Sequence, residues 1–173
     1  MNKEKFRLDM QGAIFDLDGT LFDSMWVWNQ VDLDFLGKRG FEVPDDYTKA
    51  IAHMDAHRTA RYTIDRFGLN EDIDDIVNEW FEMAKDKYAY DVICKQGAYE
   101  YVEKLHNQGV KIAIATSSDK VLFEKTLERT GLNKFIDAVV MVKEVNKGKS
   151  HPDVYLEAAR RLGTNPCDTV VYE

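Results

Sequence analysis

The residues best suited to chemistry form the run Asp16-Leu17-Asp18-Gly19-Thr20, directly after a short apolar segment. Two carboxylates separated by one residue, on a turn that leaves a strand, can face one pocket through side chain and backbone. Oxygen ligands of this kind suit a hard divalent cation such as Mg²⁺. One carboxylate could then attack a phosphorus atom while its neighbour moves the proton. Gly19 would let the backbone bend closely around the site.

Three residues further along the chain could complete this chemistry, namely Thr116, Lys149 and Glu173. The Thr116 hydroxyl could donate a hydrogen bond to a phosphoryl oxygen, and Lys149 could offset the repulsion between a carboxylate nucleophile and a phosphate. Taken singly these are weak signals, because threonine is common at helix N-caps and lysine is common on surfaces. Their placement at or near the ends of successive predicted strands makes the set specific.

The elements that must position these residues alternate along the chain. Short apolar runs predict buried strands at 12–15, 110–115, 137–142 and 169–172. Helical patterns lie between them at 98–107, 119–130 and 151–162. Alternating strands and helices predict a parallel sheet wound on both faces, with ligands at the carboxyl ends of the strands.

The stretch from Asp23 to Gln96 breaks this alternation and holds no convincing strand. Its helical patterns cover about 23–39, 45–67, which should form two helices, and 72–90. In the last pattern the apolar residues fall three and four apart, as on the packed face of a helix. The stretch is therefore predicted to be a helical insert in the α/β fold.

Composition excludes several classes of protein. The 173 residues are 45% hydrophobic and 31% charged, as is typical of a soluble globular protein of this size. The net charge of −8 argues against nucleic-acid binding, which needs a basic face. The sequence has no run of about 18 apolar residues, so no membrane span is predicted. The charged first residues do not resemble a secretory signal. With Cys94 and Cys167 far apart, free thiols in the cytoplasm are expected.

The motifs resemble those of the haloacid dehalogenase superfamily, in the β-phosphoglucomutase-like group that carries a helical cap after its first motif. The resemblance covers essentially the whole chain. The four matching segments are 13–24, 114–118, 148–153 and 170–173. It implies a Rossmann-like doubly wound core of residues 1–22 and 97–173, and a helical cap of residues 23–96.

The resemblance also implies a role for each matching residue. Asp16 would be the nucleophile that becomes an aspartyl phosphate, and Asp18 would be the general acid and base. Thr116 and Lys149 would bind the transferring phosphoryl group. Gly19 and Ser117 would join Asp16, Thr116 and Lys149 in binding phosphate. Mg²⁺ would be held by the side chain of Asp16, the backbone carbonyl of Asp18, and Glu173.

The fourth motif of this family usually reads Glu-Asp or Asp-Asp, and here Glu173 is the last residue. We therefore expect one principal metal ligand, the last strand and one or two helices to lie outside this chain. Little or no turnover is expected from residues 1–173 alone.

Three reaction classes remain open at this point. Asp18 favours phosphoryl chemistry over dehalogenation, because the dehalogenases of the family lack this acid. Mutases of the β-phosphoglucomutase type carry a histidine twelve residues beyond the nucleophile, where this chain has Trp28, and tend to have valine in place of Thr20. These departures favour a phosphatase acting on a small phosphorylated metabolite over a phosphomutase. A phospho-aspartate binding module is a remote third alternative.

Substrate specificity is expected to come from the cap. The candidate contacts are Trp26, Trp28, His53, His57 and Arg58. His53 and His57 have the i, i+4 spacing of some metal ligands, but no glutamate follows His53, so packing or substrate contact is favoured over zinc. Arg58 could bind a second anionic group of the substrate.

Overall fold

The computed structural model describes residues 10–173, and the chain divides into two compact units. One combines the segment up to Ser24 with Ile93–Glu173 and is called the α/β unit here. The other, Met25–Val92, is called the helical unit. No helix among the described residues has the length and apolar character that crossing a bilayer requires.

The α/β unit is built on a four-stranded parallel sheet. The strands within residues 10–173 are β1 (Gly12–Phe15), β2 (Phe22–Asp23), β3 (Ile93–Cys94), β4 (Lys111–Thr116), β5 (Ala138–Met141) and β6 (Thr169–Tyr172). The helices are α1 (Val27–Lys38), α2 (Tyr47–Ile51), α3 (Ala56–Phe67), α4 (Ile73–Tyr90), α5 (Ala98–Asn107), α6 (Lys120–Thr130) and α7 (Asp153–Leu162). The sheet has the order β5-β4-β1-β6, and all its pairs are parallel. The predicted parallel α/β fold is confirmed.

Helices cover both faces of this sheet, because successive strand residues point to opposite sides. On one face, Val154 and Ala158 of α7 belong to the same buried cluster as Ile14 of β1. On the other, Tyr101 of α5 meets the ring of Phe15 edge-on, with centroids 6.3 Å apart. Because β1 is buried from end to end, polar side chains can lie only beyond its two ends.

The prediction that residues 23–96 hold no strand is wrong at both ends. Phe22–Asp23 pairs antiparallel with Ile93–Cys94, and both segments belong to the α/β unit. Strands of two residues are too short to show a hydrophobic period, so pattern analysis misses them. The helical unit is correspondingly shorter than the predicted insert.

The helical unit is held together by α4, which packs against both α1 and α3. The rings of Phe35 on α1 and Trp80 on α4 meet edge-on, with centroids 5.3 Å apart. Arg39 lies 3.6 Å above the Phe35 ring and also pairs with Glu71 and Glu79. The two predicted helices in 45–67 are present as α2 and α3.

One acidic side chain in the helical unit lacks compensation. Asp32 lies half-buried on α1 and forms no hydrogen bond or ion pair with any residue between 10 and 173. Burial raises the pKa of Asp32 to about 6. In the unfolded chain this carboxyl ionises near its ordinary pKa of about 4. Its effect on stability is therefore neutral below pH 4 and becomes unfavourable as the pH rises to 6 and above.

We expect Asp32→Asn to raise the stability of the protein at pH 8 by about 2 kcal/mol, because two pKa units correspond to about 3 kcal/mol and solvent screening of the partly exposed carboxylate removes part of that. For a chain of this length the gain is about 4–8 °C in Tm. At pH 4 the gain should disappear. All three tryptophans lie in the helical unit, so thermal unfolding followed by tryptophan fluorescence measures it. Asp65→Asn, at an exposed position of α3, is the control. A variant Asp32→Asn less stable than the parent at pH 8 would contradict the interpretation.

Candidate active site

The candidate active site lies at the carboxyl edge of the parallel sheet and begins with Asp16. This residue directly follows β1, and its backbone N–H donates to the carbonyl of Tyr172 on β6 at 3.0 Å. Its side chain is only 16% exposed. The buried strand therefore places one largely buried carboxylate at the edge where parallel sheets bind ligands.

Lys149 connects Asp16 with a second carboxylate. Its Nζ lies 2.6 Å from Oδ1 of Asp16 and 3.0 Å from Oε1 of Glu173. Glu173 follows β6, the neighbour of β1 in the sheet. Because one ammonium group is within hydrogen-bond distance of both oxygens, the two carboxylates lie close together around the same cation. Tyr155 of α7 donates a further hydrogen bond of 2.5 Å to Oε1 of Glu173.

The two carboxyl groups respond differently to this environment. Burial raises the pKa of Asp16, and the hydrogen bond and charge of Lys149 only partly oppose it. Burial acts in the same direction on Glu173, but the hydrogen bonds from Tyr155 and Lys149 hold the pKa of that carboxyl below its usual range. Burial, followed by the hydrogen bond to Glu173, raises the pKa of the Tyr155 hydroxyl.

Asp18 accepts hydrogen bonds from two serines. Ser24 donates to Oδ1 of Asp18 at 2.6 Å, and Ser118 donates a short hydrogen bond to Oδ2. The turn that carries Asp18 closes on the carbonyl of Leu17, which accepts N–H groups from the three residues of 20–22. Gly19 supplies the positive φ of 80° that this tight turn needs.

Thr116 ends β4 and is fully buried. Its Oγ1 accepts a hydrogen bond from the backbone N–H of Ser118 at 3.0 Å, and no described residue takes up its own hydroxyl hydrogen. That hydrogen is available to a ligand oxygen. Ser118 thus touches both Thr116 and Asp18 and ties the second motif to the first.

The structure gathers the predicted core residues at one edge of the sheet and adds three that were missed. Asp16, Lys149 and Glu173 are in direct contact, whereas Asp18 and Thr116 are linked through a serine. Ser117 is exposed beside Thr116. The missed residues are Ser24, Ser118 and Tyr155. Both serines lie within the matching segments 13–24 and 114–118, so the motifs could have indicated them. Tyr155 lies on helix α7, and nothing in the sequence indicates its contact with Glu173.

The side-chain oxygens gathered at this edge are ligands of the kind that a hard cation such as Mg²⁺ prefers. Two carboxylates, those of Asp16 and Glu173, converge on one positive charge, and all the donors are oxygens. The carboxylate of Asp18 accepts its hydrogen bonds from two serines. Among residues 10–173, no group of three or more His, Cys, Asp and Glu side chains is arranged to hold a metal ion.

The predicted specificity residues all belong to the helical unit. Trp26 precedes α1 and is half-buried, while Trp28 is 43% exposed on the same helix. His53 is exposed between α2 and α3. His57 lies 3.3 Å from a carboxylate oxygen of Asp74. The exposed Arg58 guanidinium lies 3.4 Å from Asp55, the residue that caps α3.

The parallel sheet thus carries aspartates, a lysine and a buried threonine at its carboxyl edge. The profile of the haloacid dehalogenase-like hydrolases matches residues 13–173. The chain therefore belongs to the haloacid dehalogenase-like hydrolases.

Curated relatives are similar over almost all of this chain. It is 30% identical over 168 residues to the chloroplastic protein SUPPRESSOR OF QUENCHING 1 of Arabidopsis thaliana, covering 95% of this chain but only 16% of that protein. It is 27% identical over 167 residues to hexitol phosphatase B of Escherichia coli K12, covering 93% of this chain and 73% of that enzyme.

Solved structures share the fold. A candidate β-phosphoglucomutase from Thermotoga maritima superposes with a TM-score of 0.84 at 23% identity, over 94% of this chain and 75% of that one. A haloacid dehalogenase family hydrolase from Deinococcus radiodurans R1, with bound phosphate and sodium, gives a TM-score of 0.70 at 25% identity, over 95% and 72% of the chains.

We expect Lys149→Met to weaken binding of inorganic phosphate, in buffer containing Mg²⁺, by at least about tenfold, since a charged hydrogen bond contributes about 1.5–3 kcal/mol. The loss should follow because two carboxylates would then face the anion without compensation. Isothermal titration calorimetry measures the affinity. Lys147→Met removes an exposed lysine from the same loop and should leave binding unchanged. Equal phosphate affinity in the parent and Lys149→Met would contradict this account.

Proposed function

We propose that this protein is a Mg²⁺-dependent phosphatase that hydrolyses a small phosphorylated metabolite, such as a sugar phosphate, through an aspartyl phosphate on Asp16. One observation carries the proposal: the Lys149 ammonium lies 2.6 Å from the carboxylate that follows the central strand. A lysine in this place can bring a carboxylate nucleophile and a phosphate dianion together, which would otherwise repel each other.

In the first step an Oδ atom of Asp16 attacks phosphorus and the bond from phosphorus to the leaving oxygen breaks. Asp18 gives its proton to that oxygen, so the alcohol departs neutral. The product is an aspartyl phosphate on Asp16. The hydroxyls of Ser24 and Ser118 hold both oxygens of Asp18 and so fix its direction.

In the second step Asp18, now a carboxylate, takes a proton from water, and the water oxygen attacks phosphorus. The bond between phosphorus and Asp16 breaks, which releases inorganic phosphate and restores both aspartates. During both steps Thr116 can donate its free hydroxyl hydrogen to a phosphoryl oxygen, and Lys149 can neutralise charge. Gly19 and Ser117 are the further phosphate-binding residues of the proposal.

Mg²⁺ is the cofactor in this proposal, held by the side chain of Asp16, the backbone carbonyl of Asp18, and Glu173. The convergence of two carboxylates on one cation supports this choice. When bound, the ion would supply positive charge that stabilises the phosphoryl oxygens in the transition state.

We also propose that the helical unit is the cap that excludes water during transfer and selects the substrate. Its candidate contacts remain Trp26, Trp28, His53, His57 and Arg58. The cytoplasm is the proposed location, which the two free cysteines, Cys94 and Cys167, support.

The substrate class is tested by a panel of hexitol phosphates, hexose phosphates and nucleotides. Hexitol phosphatase B, to which the chain is similar, supports a phosphorylated polyol or sugar. We expect free phosphate from a member of the first two groups with Mg²⁺ present, and none after EDTA treatment. The assay compares residues 1–173 with a chain extended beyond Glu173, because the low turnover expected of the shorter chain is also a prediction. Release unaffected by EDTA would contradict the role of Mg²⁺.

A phosphomutase of the β-phosphoglucomutase type is the second candidate, and the fold shared with the Thermotoga maritima structure favours it. The side chain at the position of the mutase histidine, Trp28, carries no group that can transfer a proton at neutral pH. Product analysis in the same panel separates the two candidates. A rearranged sugar phosphate without free phosphate would overturn the phosphatase proposal.

We expect Asp16→Asn, made in the extended chain, to lower phosphate release by at least about a thousandfold, because an amide cannot form the covalent intermediate. Asp137→Asn is a matched control, since Asp137 lies in the α/β unit and forms an ion pair with Lys111 outside the site. Circular dichroism checks that both variants are folded. Asp16→Asn with near-normal turnover would rule out the proposed nucleophile.

A further inference from the structure

The helical unit contains a cavity of about 480 Å³ among residues of α1, α2 and α4 and the start of α3. Most of its wall is apolar, and its principal apolar residues are Trp28, Val31, Ile51, Met54, Trp80 and Phe81. Asp32 also lines it and is the one charged side chain that residues 10–173 contribute to the wall. A mainly apolar cavity of this size with a few polar groups is the usual form of a small-molecule site.

The carboxylate of Asp32 lacks a partner in this wall. Neither a hydrogen-bond donor nor a cation from residues 10–173 reaches it. Taking an ionised carboxylate partly out of water is costly unless a donor or an opposite charge compensates it. A ligand that brings N–H donors and a positive charge would remove that cost.

Aromatic rings beside Asp32 suit the same kind of ligand. The rings of Trp28 and Phe81 meet edge-on with centroids 6.0 Å apart, and Trp80 lines the same cavity. Indole and phenyl faces attract cations, and tryptophan attracts them most strongly. The rings also offer apolar area for the remainder of the ligand.

Other ligand classes match the wall less well. An anion would meet the charge of Asp32, and none of the basic residues between 10 and 173 lines the cavity to hold it. A purely apolar ligand would leave Asp32 without a partner and displace water from it. A neutral alcohol could donate one hydrogen bond but would leave the charge uncompensated.

We propose that this cavity binds a small molecule that carries a primary ammonium group on an apolar or aromatic body, with the ammonium at Asp32 and the body against Trp28 and Phe81. The proposal uses only residues of the helical unit and does not rest on the proposed function, although Trp28 is also one of the candidate substrate contacts named above. Its test needs no turnover.

The probe is 2-phenylethylammonium, and 2-phenylethanol is its neutral counterpart of nearly equal shape. Both are titrated at pH 8 into residues 1–173 while tryptophan fluorescence is followed, with calorimetry as a second readout. We expect saturable binding of the amine at least about tenfold tighter than that of the alcohol, the difference that a charged hydrogen bond provides.

Three variants make the test specific. Asp32→Asn should lower amine affinity by about tenfold and leave alcohol affinity nearly unchanged. It should stay folded, because it removes an uncompensated charge. Phe81→Leu should weaken both probes several-fold, and Asp65→Asn, which removes an exposed charge from α3, should change neither. Equal affinity for amine and alcohol, unchanged amine affinity in Asp32→Asn, or no saturable binding would each overturn the proposal.

Discussion

The candidate site depends on one shared positive charge. The carboxylates of Asp16 and Glu173 follow neighbouring parallel strands, so the sheet brings them to the same edge whether or not they repel each other. Lys149 lies within hydrogen-bond distance of both and offsets this repulsion. Without it, burial alone would favour the protonated forms, and a protonated Asp16 is a poor nucleophile. The same charge is what an incoming phosphate needs, so the interaction that keeps the site together also prepares it for an anion.

The sheet supplies the rigid part of this arrangement. β1 is buried along its whole length between β4 and β6, and its parallel register fixes the height of Asp16 relative to the residues that follow those strands. The rings of Phe15 and Tyr172 stack with centroids 4.5 Å apart. These two residues directly precede Asp16 and Glu173 in the sequence. Ser118 then joins Thr116 to Asp18 across the edge. Asp16 is therefore positioned both by a buried strand and by the contact with Lys149 from another part of the chain.

Much of this arrangement could be predicted from local pattern. The strands Gly12–Phe15 and Thr169–Tyr172 agree with their predicted bounds because short apolar runs between turn residues are distinctive. The pair formed by Phe22–Asp23 and Ile93–Cys94 could not be predicted, since two residues show no period and their pairing spans the whole helical unit. The contact of Tyr155 with Glu173 is likewise a matter of tertiary packing. Spacing suggested that His53 and His57 could act together, yet the close partner of His57 is Asp74, which the sequence places seventeen residues away.

The central claim is that Asp16 becomes covalently phosphorylated. It is tested most directly by mixing the extended enzyme with a substrate that it hydrolyses and quenching with hydroxylamine within the first turnover. The modified residue is then mapped by mass spectrometry. Hydroxylamine converts an acyl phosphate into a hydroxamate, so the account predicts a hydroxamate at Asp16 that is absent without substrate. A hydroxamate at another carboxylate, or phosphate release during turnover with Asp16 never modified, would contradict it.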